Sequence, residues 1–170
     1  HIVTPELKKA GNKLVRFFVA KDEFDVPMYE NVMKMYEQVH QLILDKVIVS
    51  AYALDARGAA AAISKMAFGN KIGAKILNTV SQEELFEKKY GAFVVETEGV
   101  LRFGKKIGVT TKDYKIYAQG KILSIEKLEK LWAETLEPVY PTTGGEENKN
   151  YENISYKAES VVSPLVKVPQ

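Results

Sequence analysis

The chain has 170 residues, 46% of them apolar, with no cysteine, two histidines and a formal net charge of +2 from 24 basic and 22 acidic side chains. That length holds one domain with a sizeable core and an appendage, not two full domains. The lack of cysteine excludes disulfides, thiolate metal sites and cysteine nucleophiles, and the balanced charge supplies no broad field to steer nucleic acid or an anionic membrane.

After a polar lead containing Thr4-Pro5, KLVRFFVA (13–20) predicts a first strand with Leu14, Phe17 and Val19 among its apolar positions. Asp25-Val26-Pro27 predicts a helix start, with Asp25 as the cap and proline in the first turn. Met28, Val32, Met35, Val39 and Leu42 then recur at helical spacing, and Glu30, Lys34, Glu37, Gln41 and Asp45 fill the opposite side. The nearly continuous apolar run VIVSAYAL (47–54) predicts a strand buried on both faces and central in its sheet. An alanine-rich helix follows from Arg57-Gly58, with Ile63 and Met66 as its larger apolar contacts and Gly69-Asn70 as its stop.

A third strand is expected over 73–77. Ser81 and Glu84 then form an S-x-x-E capping box, Val80 and Leu85 sit at staple positions, and the helix is expected to end at Tyr90-Gly91. AFVVETE, KKIGVTT and DYKIYAQGKIL read as strands separated by glycine-containing turns, and Ser124 caps a last helix carrying Ile125, Leu128, Leu131 and Trp132. From Pro138 the pattern changes: four of the six prolines lie there, no helical period persists, and 138–170 reads as an interdomain linker after a domain over 1–137. The order predicts an α+β fold with helices on a mixed sheet.

No dinucleotide fingerprint, Walker loop, zinc-protease or nucleophile-elbow motif is present. His1 and His40 alone supply imidazole, so no metal site is expected. KYGAFVVE (89–96) only echoes an RNA-binding strand, because its stacking positions hold Tyr90, Gly91 and Glu96 out of phase. With neither a signal peptide nor a run of about 18 apolar residues, a soluble, cytoplasmic chain is expected.

Three segments in order, HIVTPELKKAGNKLV, VSAYAL…GAAAAISKMAFGNKIG and KLWAETLEPVYP, resemble the large form of the phosphoribosylformylglycinamidine synthases (formylglycinamide ribonucleotide amidotransferases). Within that family they are similar to the last aminoimidazole-ribonucleotide-synthetase-related C-terminal domain and its connector to the glutaminase domain. The resemblance implies a mixed, largely antiparallel sheet. It also implies a parent ligase of purine biosynthesis in which ATP, with magnesium, activates the formyl amide oxygen and ammonia from glutamine replaces it. Its implied partners are a preceding synthetase-related N-terminal domain and a following glutaminase domain, with neither nucleic acid nor membrane.

Family members place His-Asp and then Ser-Asp-Gly-Gly where this chain has Tyr52-Ala53 and Asp55-Ala56-Arg57-Gly58. Two readings of that helix start follow. Asp55, Arg57 and Gly58 contact an anion or nucleotide, or Asp55 caps the helix, Gly58 starts it and the alanines pack it closely on the sheet. The second is preferred. No residue is assigned a catalytic role, the chain is expected to belong to the structural half of the synthetase, and it is expected to bind no cofactor tightly alone. The rival reading is a non-enzymatic interaction or scaffolding module.

Overall fold

In the computed structural model, residues 2–24 and 26–141 are described, and the chain divides into two units, His1–Thr135 and Leu136–Gln170. Of the second unit only 136–141 are described, and there Val139 and Tyr140 donate backbone N–H groups to the Leu136 oxygen (3.0 and 2.8 Å). The expected linker therefore lies largely outside the described residues.

The first unit runs β1 (Lys13–Phe17), α1 (Tyr29–Leu44), β2 (Ile48–Ala53), α2 (Gly58–Phe68), β3 (Gly73–Ile76), α3 (Gln82–Phe86), β4 (Phe93–Thr97), β5 (Lys105–Thr111), β6 (Lys115–Ala118), β7 (Lys121–Ser124) and α4 (Ile125–Glu134). The strands form one sheet in the order β2-β4-β1-β5-β3-β6-β7. Only β3 and β6 pair in parallel. The expected α+β architecture is thus present.

Alternation along the strands makes two cores. Val15, Phe17, Ile48 and Val95 pack with Met35 and Val39 of α1 on one face. Leu14, Val94, Ala74, Ile76, Ile107 and Ile116 meet α2, Leu85 of α3 and Ile125 of α4 on the other. In α2, Ala59, Ala62 and Ala67 are buried beside Ile63 and Met66, so small side chains bring the helix axis close while the two larger ones fill the remaining space. Burial of Ile63 and Met66 contributes about 2 kcal/mol each.

Four sequence expectations need correction. VIVSAYAL was expected in the sheet centre, yet β2 is an edge strand. Its apolar run reflects covered faces, with Ile48 in the α1 core and Ser50 fully buried opposite it, and covered faces carry no information about lateral neighbours. The first helix begins at Tyr29, with Met28 as an N-cap that makes no side-chain bond. The expected cap Asp25 lies outside the described residues, and Pro27 instead bridges to Lys21 ahead of the helix. β1 stops at Phe17, three residues early.

The helix opened by Ser81 ends at Phe86, not Tyr90. Beyond Leu85 the segment Glu87-Lys88-Lys89 offers no apolar side chain to continue the buried stripe, and Glu87 is already extended (φ −64°, ψ 133°). Gly91 adopts φ +80°, turning the chain into β4. The two other predicted caps are present: Ser81 and Glu84 close a reciprocal capping box, and Ser124 accepts from Lys127 N–H.

Candidate functional site

The chain passes from β2 into α2 through Leu54-Asp55-Ala56-Arg57, where the sequence places its polar candidates. Leu54 is buried and donates its N–H to the Ala92 oxygen (2.8 Å), which anchors the end of the strand. Asp55 folds back so that Oδ1 accepts the Arg57 N–H (2.7 Å), and the Asp55 carbonyl accepts the Gly58 N–H (3.3 Å). The N-cap is Arg57 and no side chain caps the helix, so the expected Asp55 cap is absent: its carboxylate closes a turn on the N–H of Arg57, ahead of the first helical residue. The Arg57 side chain is exposed.

Gly58 is buried with φ +68°. A Cβ there would stand 2.6 Å from the Leu85 oxygen and 2.8 Å from the Glu87 oxygen, so the end of α3 and its following residue close against the start of α2. Asp55, Arg57 and Gly58 are therefore gathered into one turn.

The polar residues of β2 itself, Ser50 and Tyr52, are engaged elsewhere. Ser50 donates its hydroxyl to the Pro5 oxygen (2.7 Å). Tyr52 accepts from Lys65 Nζ (3.2 Å), and the ammonium lies 5.7 Å from its ring centre.

Two buried polar centres escaped the sequence reading. The Glu96 carboxylate, with no exposed surface, accepts N–H bonds from Lys8 (2.6 Å), Lys9 (3.0 Å) and Asn12 Nδ2 (2.7 Å). It pins an N-terminal arm to the sheet, where Leu7 is wholly buried and donates to the Met66 oxygen (2.8 Å). Arg16, only 1% exposed, reaches α3 through Nη1 to the Glu84 oxygen (2.6 Å) and Nη2 to Glu84 Oε1 (3.2 Å), while its Nε has no partner. Lys105 Nζ also bonds Glu84 Oε1, and Glu84 Oε2 accepts the Ser81 N–H (3.0 Å).

The Lys105 bond, followed by the Ser81 N–H, holds the Glu84 carboxyl below its usual range. A depressed carboxyl stabilises the fold above its unfolded value, about 4.3, and that contribution disappears as pH falls through the folded value. Urea midpoints of wild type and Glu84→Gln are therefore expected to differ most near neutrality and to converge below about pH 4. A constant difference across that range would show that the ion pairs carry no linkage. Other shifted groups lie away from the α2 turn: Glu6 is lowered to about 2, chiefly by bonds from Lys8 and Thr4, and Asp113 is lowered by bonds from Thr111 and Tyr117.

Among the described residues, no group of three or more histidine, aspartate or glutamate side chains is placed to hold a metal ion, and no helix is long and apolar enough to cross a membrane. No protein-family description matches the chain, and no characterised protein matches it by sequence.

Solved structures do match by fold. Thermotoga maritima PurL complexed with AMPPCP superposes with a TM-score of 0.60 at 15% identity, covering 75% of this chain and 27% of that one. Phosphoribosylformylglycinamidine synthase II from Thermotoga maritima gives 0.60 at 15% identity over 74% of this chain and 27% of its own. The PurLQS structure from the same organism gives 0.59 at 15% identity, over 73% and 27%. The chain thus spans about a quarter of each of these three proteins, and its described residues have the fold of a domain of phosphoribosylformylglycinamidine synthase II, PurL.

Proposed function

We propose that this chain is one domain of an ATP-dependent amidotransferase of purine biosynthesis, a phosphoribosylformylglycinamidine synthase that uses glutamine as its amide donor in the cytoplasm. The observation that carries the reading is the fold likeness to PurL, joined to ordered sequence segments that span nearly the whole chain. In this reading the chain belongs to the structural half, 138–170 connects it to a glutaminase domain, and a synthetase-related N-terminal domain precedes it. Large apolar side chains left exposed on the first unit, among them Phe24, Tyr29, Met33 and Phe86, support a life among other domains.

The nucleotide sites belong to other parts of such a protein. At the α2 turn the Asp55 carboxylate repels an anion, and carbonyl oxygens rather than open space flank Gly58. Arg57 is the single cation in the turn. Glutamine hydrolysis needs a nucleophile, usually cysteine, which this chain does not carry.

Calorimetric titration of ADP, phosphate and formylglycinamide ribonucleotide into the 170-residue chain is expected to give no binding heat, and a coupled assay is expected to give no ADP release. Saturable nucleotide binding would overturn the assignment to a nucleotide-free structural domain.

A further inference from the structure

On the side away from α2, α3 and α4, the sheet is covered over one half only. The α1 core draws its strand residues from β1, β2 and β4. Over the other half the register sets one row of side chains across five strands: Lys13 stands opposite Val109, Val109 opposite Lys75, Lys75 opposite Tyr117, and Tyr117 opposite Ile122. Partners in register share a face, and the neighbours Leu14, Ala74, Ile76 and Ile116 point into the opposite core, so this row faces away from it. Lys75 is exposed, Val109 and Tyr117 are half-buried, and Ile122 is 62% exposed.

The charge on these strands has one sign. β3, β5, β6 and β7 carry Lys75, Lys105, Lys106, Lys115 and Lys121, with neither aspartate nor glutamate among them. Lys105 turns to Glu84 on the α3 side. Lys106, in register with the α1-core residue Val15, and Lys115, next to the inward Ile116, flank the row on the open face. Among the described residues the ammonium groups of Lys75, Lys106 and Lys121 have no partner. The carboxylates that border the surface are engaged: Asp113 accepts the Tyr117 hydroxyl, and Glu98 pairs with Lys9 at 3.6 Å. A chain near neutrality overall thus concentrates unpaired positive charge here.

Beside the row, β3 stops while the β6–β7 hairpin continues. Between them opens a cleft of about 250 Å3, lined among others by Lys75, Asn78, Tyr117, Gln119, Lys121 and Ile122. A cavity of about 150 Å3 already takes a benzene ring, so the cleft has room for one apolar side chain. Gln119 is held by its bond to the Val80 oxygen, which fixes the cleft wall.

We propose that this half of the sheet docks an acidic segment of another protein, with carboxylates over Lys75, Lys106 and Lys115 and one apolar side chain in the cleft against Tyr117 and Ile122. Charge complementarity selects the sign of the partner, and the aliphatic floor selects its class. Single-stranded nucleic acid would need stacking rings on neighbouring strands, whereas Tyr117 is the one aromatic residue of these four. The proposal stands apart from the purine assignment.

Fluorescence anisotropy of a labelled peptide, Glu-Glu-Leu-Glu-Glu, against the 170-residue chain tests it. Binding is expected to saturate below millimolar chain and to weaken about tenfold between about 50 and about 500 mM salt. Lys75→Glu should weaken it about tenfold and Ile122→Ser about fivefold, with circular dichroism unchanged because both positions are exposed. Lys127→Glu makes the same charge change on α4, against the opposite core, and should leave binding as it was. Glutamate in place of the peptide's leucine adds charge yet should weaken binding, since the cleft then goes unfilled. No saturation by millimolar chain, an equal loss in Lys127→Glu, undiminished binding of the all-glutamate peptide, or tighter binding of oligouridylate than of the peptide would each overturn the proposal.

Discussion

Replacing Glu96 with alanine is expected to lower the melting temperature by about 6–12 °C, the equivalent of about 3 kcal/mol in a chain of this length. The carboxylate has no exposed surface and serves three N–H donors at 2.6–3.0 Å. Its removal leaves the Lys8 and Lys9 amides and the buried Asn12 side chain without this acceptor, and each donor that water does not reach costs about 1–3 kcal/mol. Charge-assisted bonds are the stronger kind, which raises the loss further.

The damage should begin at the arm. Amide exchange at Leu7, Lys8 and Lys9 should accelerate well before the central strands are affected, because only the arm depends on this acceptor. Glu96→Gln should recover part of the loss, since its carbonyl oxygen can keep the bonds from Lys9 and Asn12 while its NH2 group faces the Lys8 N–H, a donor. A shift below about 2 °C in Glu96→Ala, with arm exchange unchanged, would show that Leu7 and its bonds to α2 hold the arm alone.

The strand and helix order was legible because hydrophobic period and cap chemistry are local. Ser81 and Glu84 announce a capping box, and Ser124 a cap, within four residues each. The lateral place of β2 was not legible, because the apolar run VIVSAYAL reports what lies above and below a strand and says nothing of what lies beside it. The buried polar centres left a fainter signal. In KLVRF, Arg16 shares a face with Leu14, and in FVVET, Glu96 shares one with Val94, so period-two reading already places a charge among core positions. What that reading lacks is the partner: Glu84 is 68 residues from Arg16 and Lys8 is 88 from Glu96, distances that only the folded sheet closes.

The candidate turn divides in the same way. That Asp55 lies in the turn ahead of the helix follows from its position alone, although it bonds Arg57 rather than capping α2, whereas the carbonyl oxygens of Leu85 and Glu87 beside Gly58 come from a segment almost thirty residues on. Sequence therefore located the turn and left open why its glycine is there.

Gly58→Ala is expected to destabilise the fold by about 3 kcal/mol, and the reason for the loss can be separated by a second substitution. Two penalties coincide at this residue. A backbone at φ +68° costs an alanine about 1–2 kcal/mol, and a Cβ placed 2.6 Å from the Leu85 oxygen and 2.8 Å from the Glu87 oxygen forces α3 away from α2 at a further cost of about 1–3 kcal/mol. Asparagine tolerates the left-handed region but carries the same Cβ. If the close approach dominates, Gly58→Asn should be nearly as unstable as Gly58→Ala, and both should loosen the packing of Leu85. If the dihedral angle dominates, asparagine should recover at least half of the loss. Arg57→Ala, whose side chain is exposed, should stay within about 0.5 kcal/mol of wild type. Thermal melts with added phosphate and ADP complete the comparison. A glycine kept for anion binding would let ligand raise the wild-type melting temperature and leave Gly58→Ala unmoved, whereas a glycine kept for packing gives both proteins the same melting temperature with and without ligand.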